Sequence, residues 1–291
     1  MSDKTYGQIL RDTQIFPKKR LGQHFMTDPR LLESISQAML PPGKSWVAVE
    51  IGPGIGTLTK ELCQRAHWVY ALEYDRDLEE ASRQVLRNLT NLTWIWGDAL
   101  SYDLTGNATK REHPDRDLAL CGNLPYYITS QILYRALVKR CSWARMSFVV
   151  QEEVAMRMAA SESSGGFGRL SLWCQYRGTV KIVKRIPAGA FLPRPDVDSC
   201  LVTLDLYPKF PLTDSEEEFM DALSRAAFSA RRKTLLNSLS TLFPDRKVLS
   251  EAVTSCGIDP GLRAEDVGVV GFVTLARALL PIHFPNSRSL G

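Results

Sequence analysis

From Trp46 onward, short and nearly continuous apolar runs alternate with stretches of helical spacing, and this alternation restricts the fold more than any other feature. Val47–Ile51, Val69–Glu73, Leu92–Trp96, Leu118–Cys121 and Ser147–Val150 read as five strands. A helix opens at Thr57, and a second carries the stripe Leu78, Ala81, Val85 and Leu89. A short turn near Asp98 and a helix with Ile132, Leu133, Ala136 and Leu137 complete the series. Strands that are apolar on both faces fit a parallel sheet covered by helices on both sides. The expectation is therefore an α/β fold.

Before this series, Asp28 as N-cap and Pro29 at the first helical position announce a helix with Leu32, Ile35 and Met39 on one face. Residues 1–17 read as a flexible basic arm. After the fifth strand, Ser163–Gly168 has loop composition. Leu170–Tyr176 and Thr179–Ile186 read as β-rich, and Cys200–Leu206 as a further strand. Pro208 and Pro211 mark a linker, beyond which the spacing is helical throughout. The expected division is an arm over 1–17, a sheet domain over 18–212 and a smaller all-helical domain over 213–291.

Composition excludes several classes. With 44% apolar and 23% charged residues in 291, the chain reads as an ordinary globular one with a sizeable core. No apolar run is long enough for a membrane span, and the basic first twenty residues lack the core of a secretory signal. The six cysteines and four histidines are scattered without ligand spacing, so neither a metal cage nor a disulfide framework is expected, and a reducing cytoplasm is the default.

Charge distribution is more informative than the net +4. No acid occurs from Ser163 to Pro195, a stretch that contains Arg169, Arg177, Lys181, Lys184, Arg185 and Arg194. A second knot, Arg231-Arg232-Lys233, follows an acidic patch around Glu216–Glu218. Each run alone could be a solvated face. Together they suit a polyanion, which makes Arg169, Arg194, Arg231, Arg232 and Lys233 the candidate contacts to it.

The first strand runs into Glu50-Ile51-Gly52-Pro53-Gly54-Ile55-Gly56-Thr57. Glycines at a strand-to-helix turn let backbone approach a ligand, and the helix start offers N–H groups to an anionic end. The third glycine comes one residue too early for the dinucleotide fingerprint, and the spacing looks like that of S-adenosylmethionine-dependent methyltransferases. Glu73 ends the second strand, where a carboxylate can accept both ribose hydroxyls, and Asp98 ends the third, where it can accept from an adenine amine. Either acid taken singly could be a helix cap. In register at the carboxyl ends of adjacent strands, they face one crevice.

The fourth strand ends in Asn123-Leu124-Pro125-Tyr126. Adenine N6 is a poor nucleophile because its lone pair is delocalised into the ring. The amide oxygen of Asn123 and the carbonyl of Leu124 could accept its two N–H groups, while Tyr126 stacks on the base. This motif points to methylation of an exocyclic amine.

With these motifs in hand, the chain resembles the bacterial small-subunit (16S) ribosomal RNA adenine-N6 dimethyltransferases from about Lys18 to its last helices. Carrying the likeness are Leu21–Met26, Glu50–Gly56, Glu73, Asp98, Asn123–Tyr126, Gly168–Ser171, Phe191–Ser199 and Phe228–Leu239. The resemblance implies a Rossmann-like class I methyltransferase sheet with helices on both faces plus a C-terminal helical domain. It implies S-adenosyl-L-methionine as cofactor, held by His24, Met26, Glu50, Gly52, Gly54, Glu73, Asp98 and Asn123. It also implies a catalytic set of Asn123, Leu124, Tyr126 and Phe191, with Phe191 stacking the target adenine opposite Tyr126. Two adjacent adenines near the 3′ end of the RNA, within an assembling 30S particle, would be the substrate. His24, Met26 and Tyr127 depart from the common Asn, Leu and Asn of the family, and Tyr127 bears on the shape of the target pocket.

Three other readings compete: a large-subunit RNA methyltransferase of the macrolide-resistance type, a non-catalytic assembly or transcription factor on the same fold, and an NAD oxidoreductase. The helical tail and the Phe191–Ser199 loop oppose the first. The intact cofactor motifs oppose the second, and glycine spacing opposes the third.

Overall fold

The computed structural model of the chain describes residues 5–230 and 232–283. Its strands are β1 (Phe25–Met26), β2 (Trp46–Ile51), β3 (Trp68–Glu73), β4 (Leu92–Trp96), β5 (Asp117–Asn123), β6 (Arg145–Gln151), β7 (Gly178–Ile186), β8 (Phe191–Leu192) and β9 (Ser199–Leu206). Seven of them form one sheet in the order β4-β3-β2-β5-β6-β9-β7, while β1 and β8 make a separate antiparallel ribbon. The pairs from β4 through β6 are parallel, and β9 joins β6 antiparallel with Gln151 opposite Ser199. Strand order reverses between β2 and β5, and this switch point opens a crevice at their carboxyl ends.

The five expected parallel strands are present: one matches its reading, two gain a single residue, and β5 and β6 each run three residues longer. β2 is buried along its whole length, as a central strand covered on both faces must be. The helix Pro29–Met39 begins as expected, with the Asp28 carboxylate accepting from the Arg30 N–H at 2.9 Å. Its stripe of Leu32, Ile35 and Met39 packs with Trp46, Val69 and Leu201 in one core cluster.

Two expectations are corrected. The first concerns Leu170–Tyr176, which lies in a helix, Arg169–Arg177, and not in a strand. Seven of its nine residues are buried, so the apolar run records burial all round, a pattern that cannot by itself separate helix from strand. The second concerns the supposed flexible arm, which contains a helix, Tyr6–Asp12. Thr5 and Gln8 close a capping box on it, and Ile9 and Leu10 pack on Leu78, Ala81 and Val85. The basic residues had masked this short apolar stripe. A helix at Asn107–Glu112 was also not foreseen.

The chain divides into two compact units that interleave in sequence. One holds the described residues of Met1–Ala136, Cys141–Ala155 and Thr179–Leu206, including the whole of the β4-to-β6 sheet. The other takes Leu137–Arg140, Met156–Gly178 and the described residues from Tyr207 onward, so it reaches back well before the expected boundary at 212. Its interior centres on Arg177, fully buried, whose guanidinium donates to both carboxylate oxygens of Glu217 at 2.8 and 2.9 Å and to the Leu137 carbonyl at 2.6 Å. The Phe210 ring lies 4.3 Å beneath it.

Candidate active site

At the switch point of the first unit a cleft of about 360 Å³ opens over the ends of β2, β3 and β5, a size suited to a small molecule. All eight residues expected to hold the cofactor line it: His24 and Met26, then Glu50, Gly52 and Gly54, then Glu73, Asp98 and Asn123. They come from five separate chain segments, and the sheet register brings them together.

The loop after β2 needs its glycines. Gly54 adopts φ +63°, and a Cβ there would meet the Phe25 ring at 2.8 Å. Its N–H donates to Oε2 of Glu73 at 2.9 Å, tying loop to acid, while Oε1 of Glu73 accepts the Asp75 N–H at 2.8 Å. Each carboxylate oxygen keeps a second lone pair for a ligand hydroxyl. Burial pushes the Glu73 carboxyl up to about 7 against the lowering effect of those N–H donors. Glu50 is more deeply buried; its Oε2 has no hydrogen-bond partner among the described residues. Burial, with the neighbouring Glu73, lifts it to about 8, so its protonated form predominates at neutral pH. Asp98 does act as a cap, accepting the Leu100 N–H at 2.8 Å, yet it still stands in the cleft wall.

A strap over 18–26 closes one side of the cleft. Lys18 bonds the Asp75 carboxylate at 2.6 Å, and the Gln23 amide bonds the same group at 2.7 Å. His24 Nδ1 donates to the Pro193 carbonyl at 2.8 Å. The Asn123 amide nitrogen donates to the His24 carbonyl at 2.9 Å, while its buried Oδ1 has no partner among the described residues. An unpaired buried acceptor is costly unless a ligand donor meets it. The cleft lining thus includes two buried acids and an amide whose oxygen has no partner among the described residues.

The remaining expected catalytic residues stand outside the cleft wall. The Leu124 side chain is buried and its N–H is taken by the Val149 carbonyl at 3.1 Å. The Tyr126 ring stacks on His24 with centroids 5.4 Å apart, and its hydroxyl bonds Ser199 at 2.8 Å. Phe191 is corrected: it is buried in the core cluster with Met26, opposite it in the ribbon, and does not face the cleft. Alternation along β8 turns Phe191 inward and Leu192 outward. Tyr74 and Tyr127 are the exposed aromatics of the wall. Partial burial, and after it nearby Asp98, raise the Tyr127 phenol. Tyr127 carried a signal in the sequence, as a departure from the family pattern, but not as a wall residue.

Of the expected RNA contacts, Arg194, Arg232 and Lys233 are exposed, and Arg231 lies outside the described residues. Arg169 is corrected: it is drawn inward by Asp221 and donates to Ser224 at 3.2 Å. Arg177, counted in the same basic stretch, is the buried partner of Glu217. The described residues hold no cluster fit for a metal ion, and none of their helices is long and apolar enough to cross a membrane.

The family model described as ribosomal RNA adenine dimethylase matches residues 16–279. The ribosomal RNA small subunit methyltransferase A of Pelotomaculum thermopropionicum is 40% identical over 94% of this chain and 95% of its own length. The protein of that name from Bacillus mycoides is 37% identical over 90% of this chain and 91% of its own. Among solved structures, a dimethyladenosine transferase from Plasmodium falciparum superposes with a TM-score of 0.73 at 23% identity, covering 88% of this chain and 97% of that one. The 23S rRNA methyltransferase ErmE gives 0.65 at 22%, covering 88% and 99%, and both likenesses bear on the fold alone. A cleft with Glu73 closing β3, Asp98 just past β4 and an orphaned amide closing β5, within a match that runs nearly from end to end, makes this chain an enzyme of the methyltransferase class, and it belongs to the ribosomal RNA adenine dimethylase family.

Proposed function

We propose that the protein dimethylates the N6 amino groups of two adjacent adenines near the 3′ end of small-subunit (16S) ribosomal RNA, with S-adenosyl-L-methionine as methyl donor. The orphaned Oδ1 of Asn123 carries this reading: it is a buried acceptor on a cleft-lining residue, its amide fixed by the bond to His24, and no described group donates to it. An adenine amine supplies that donor. Accepting one N–H there draws the nitrogen lone pair out of conjugation and towards the methyl group.

The residues present fit the donor. Glu73 suits the ribose hydroxyls, Gly52 and Gly54 allow close backbone approach, and neutral Glu50 can donate to or accept from the amino-acid end. When bound, S-adenosylmethionine supplies an electrophilic sulfonium methyl. The protein's part is to orient the amine and hold the base, because the methylated nitrogen loses its proton readily to solvent. The relatives' names favour the small subunit over the large. An assembling 30S particle in the cytoplasm is the setting this reading implies.

The test is to incubate the protein with labelled S-adenosylmethionine and unmethylated small subunits, then map the label. Label on two adjacent adenines as dimethyladenine is the expected outcome. Label on large-subunit RNA, or none, defeats the proposal.

A further inference from the structure

We infer that the apolar groove between the N-terminal helix and the Leu192–Pro193 turn binds a second, unpaired purine base of the RNA, the neighbour of the adenine in the cleft. The inference rests on the RNA reading above and adds a binding site to it. The groove measures about 500 Å³ and is lined by Leu10, Arg11, Gln14, Phe16, Leu192 and Pro193 among others. Phe16 is 82% exposed and Leu192 50%, an unusual degree for large apolar side chains on a well-anchored segment.

The segment is held firmly. Gln14 takes a left-handed backbone at φ +53°, and the Ile15 N–H returns to the Leu10 carbonyl at 3.1 Å. Two residues beyond Phe16, the Lys18 N–H donates to the Gln23 amide oxygen at 2.8 Å, and its ammonium is bound by Asp75. Phe16 is therefore presented to solvent by a chain pinned on both sides. A pinned, exposed aromatic is a stacking platform, and platforms of this kind take nucleobases.

Groove and cleft share one ribbon. Leu192 pairs with Phe25, and the Pro193 carbonyl accepts from His24, so the groove floor abuts two residues of the cleft wall. A strand with one adenine in the cleft could lay the next one here without a long detour. The surrounding charge suits a phosphate backbone: Arg11, Arg20 and Arg194 are exposed, and no acid occurs between Asp12 and Asp28. Gln14 adds an amide, the group that pairs with the N6 and N7 edge of adenine. Stacking face, amide and arginine together favour a purine over a peptide.

The test uses a hairpin RNA with 2-aminopurine in place of the target's neighbour, and full-length protein. Wild type should quench the probe on binding. Phe16→Ala should abolish the quench and weaken RNA binding by about 5- to 150-fold, the range for one lost base stack. Affinity for S-adenosylmethionine should stay unchanged. Gln14→Ala should reduce the preference for a purine over uracil at the probe position. An unquenched probe with wild type overturns the inference, as does a Phe16→Ala protein with unaltered quench. Weaker binding to small-subunit particles but not to the hairpin also overturns it, since the groove would then hold a protein. Failure of the functional reading registers separately, as no label transfer by the wild-type protein.

Discussion

The amide nitrogen of Asn123 donates to the main-chain carbonyl of His24 at 2.9 Å, and this bond decides which end of the amide is left without a partner. A carbonyl can only accept, so the nitrogen must point to His24 and the oxygen is left as a buried, unpaired acceptor. Replacing Asn123 by Ala removes a preorganised polar group from the reacting nitrogen. Turnover should fall about 10²- to 10³-fold, with RNA affinity nearly unchanged because phosphate contacts dominate it. Single-turnover methyl transfer and a binding titration on the same preparation separate the two effects.

Glu73 predicts a pH dependence of cofactor binding. Ribose hydroxyls donate to an ionised carboxylate, and burial sets this one to about 7 in the folded protein. Affinity for S-adenosylmethionine should be full above pH 7 and fall as pH drops below it, by up to about tenfold per unit. Glu73→Ala should weaken binding by about 1.5–3 kcal/mol at pH 8, the cost of losing hydrogen bonds to a charged group. Calorimetry from pH 5.5 to 8.5 checks both, and a flat profile for wild type defeats the assignment.

Glu50 acts on stability. Its folded value of about 8 lies above that of a free carboxyl, so the folded state holds a proton that the unfolded chain releases between pH 4.5 and 8. The sign follows: folding is favoured at the acid end of that window and loses up to about 1.4 kcal/mol per unit as pH rises through it. Glu50→Gln keeps the shape without the proton. The variant should gain on wild type in urea unfolding as pH goes from 5 to 8. Glu73 remains in both proteins and cancels to first order.

The cleft wall was legible in the sequence because strand ends are. Glu73, Asp98 and Asn123 each close an apolar run, and a parallel sheet aligns such ends on one side. Phe191 was not legible for the opposite reason. Its orientation depends on the parity of a two-residue ribbon, Phe25–Met26 against Phe191–Leu192, and one residue of register exchanges an inward side chain for an outward one. Arg177 failed similarly: within a basic stretch it reads as surface, and only its partner Glu217, forty residues on, accounts for its burial. The Tyr6–Asp12 helix is too short for periodicity to declare it, and tertiary packing on Leu78 and Val85 supplies what propensity does not.

The basic stretch now separates into two roles that one salt titration distinguishes. Arg169 is spent on Asp221, a carboxylate that is nearly buried and also takes Arg225. Removing it leaves an interior acid short of a donor, so Arg169→Ala should cost about 1–3 kcal/mol of stability in urea unfolding. Its RNA binding, measured where the protein is folded, should keep the wild-type salt slope. Arg194, Arg232 and Lys233 are exposed, and their loss should barely move stability. If they hold phosphates, each should lower the slope of log affinity against log salt by about 0.7–0.9 when replaced by Ala. Measured from 50 to 300 mM salt, a triple variant should bind with a visibly flatter slope than wild type, uniformly across RNA sequences. An unchanged slope in the triple variant, or a flattened one in Arg169→Ala, would reverse these assignments and return the interface to residues now read as structural.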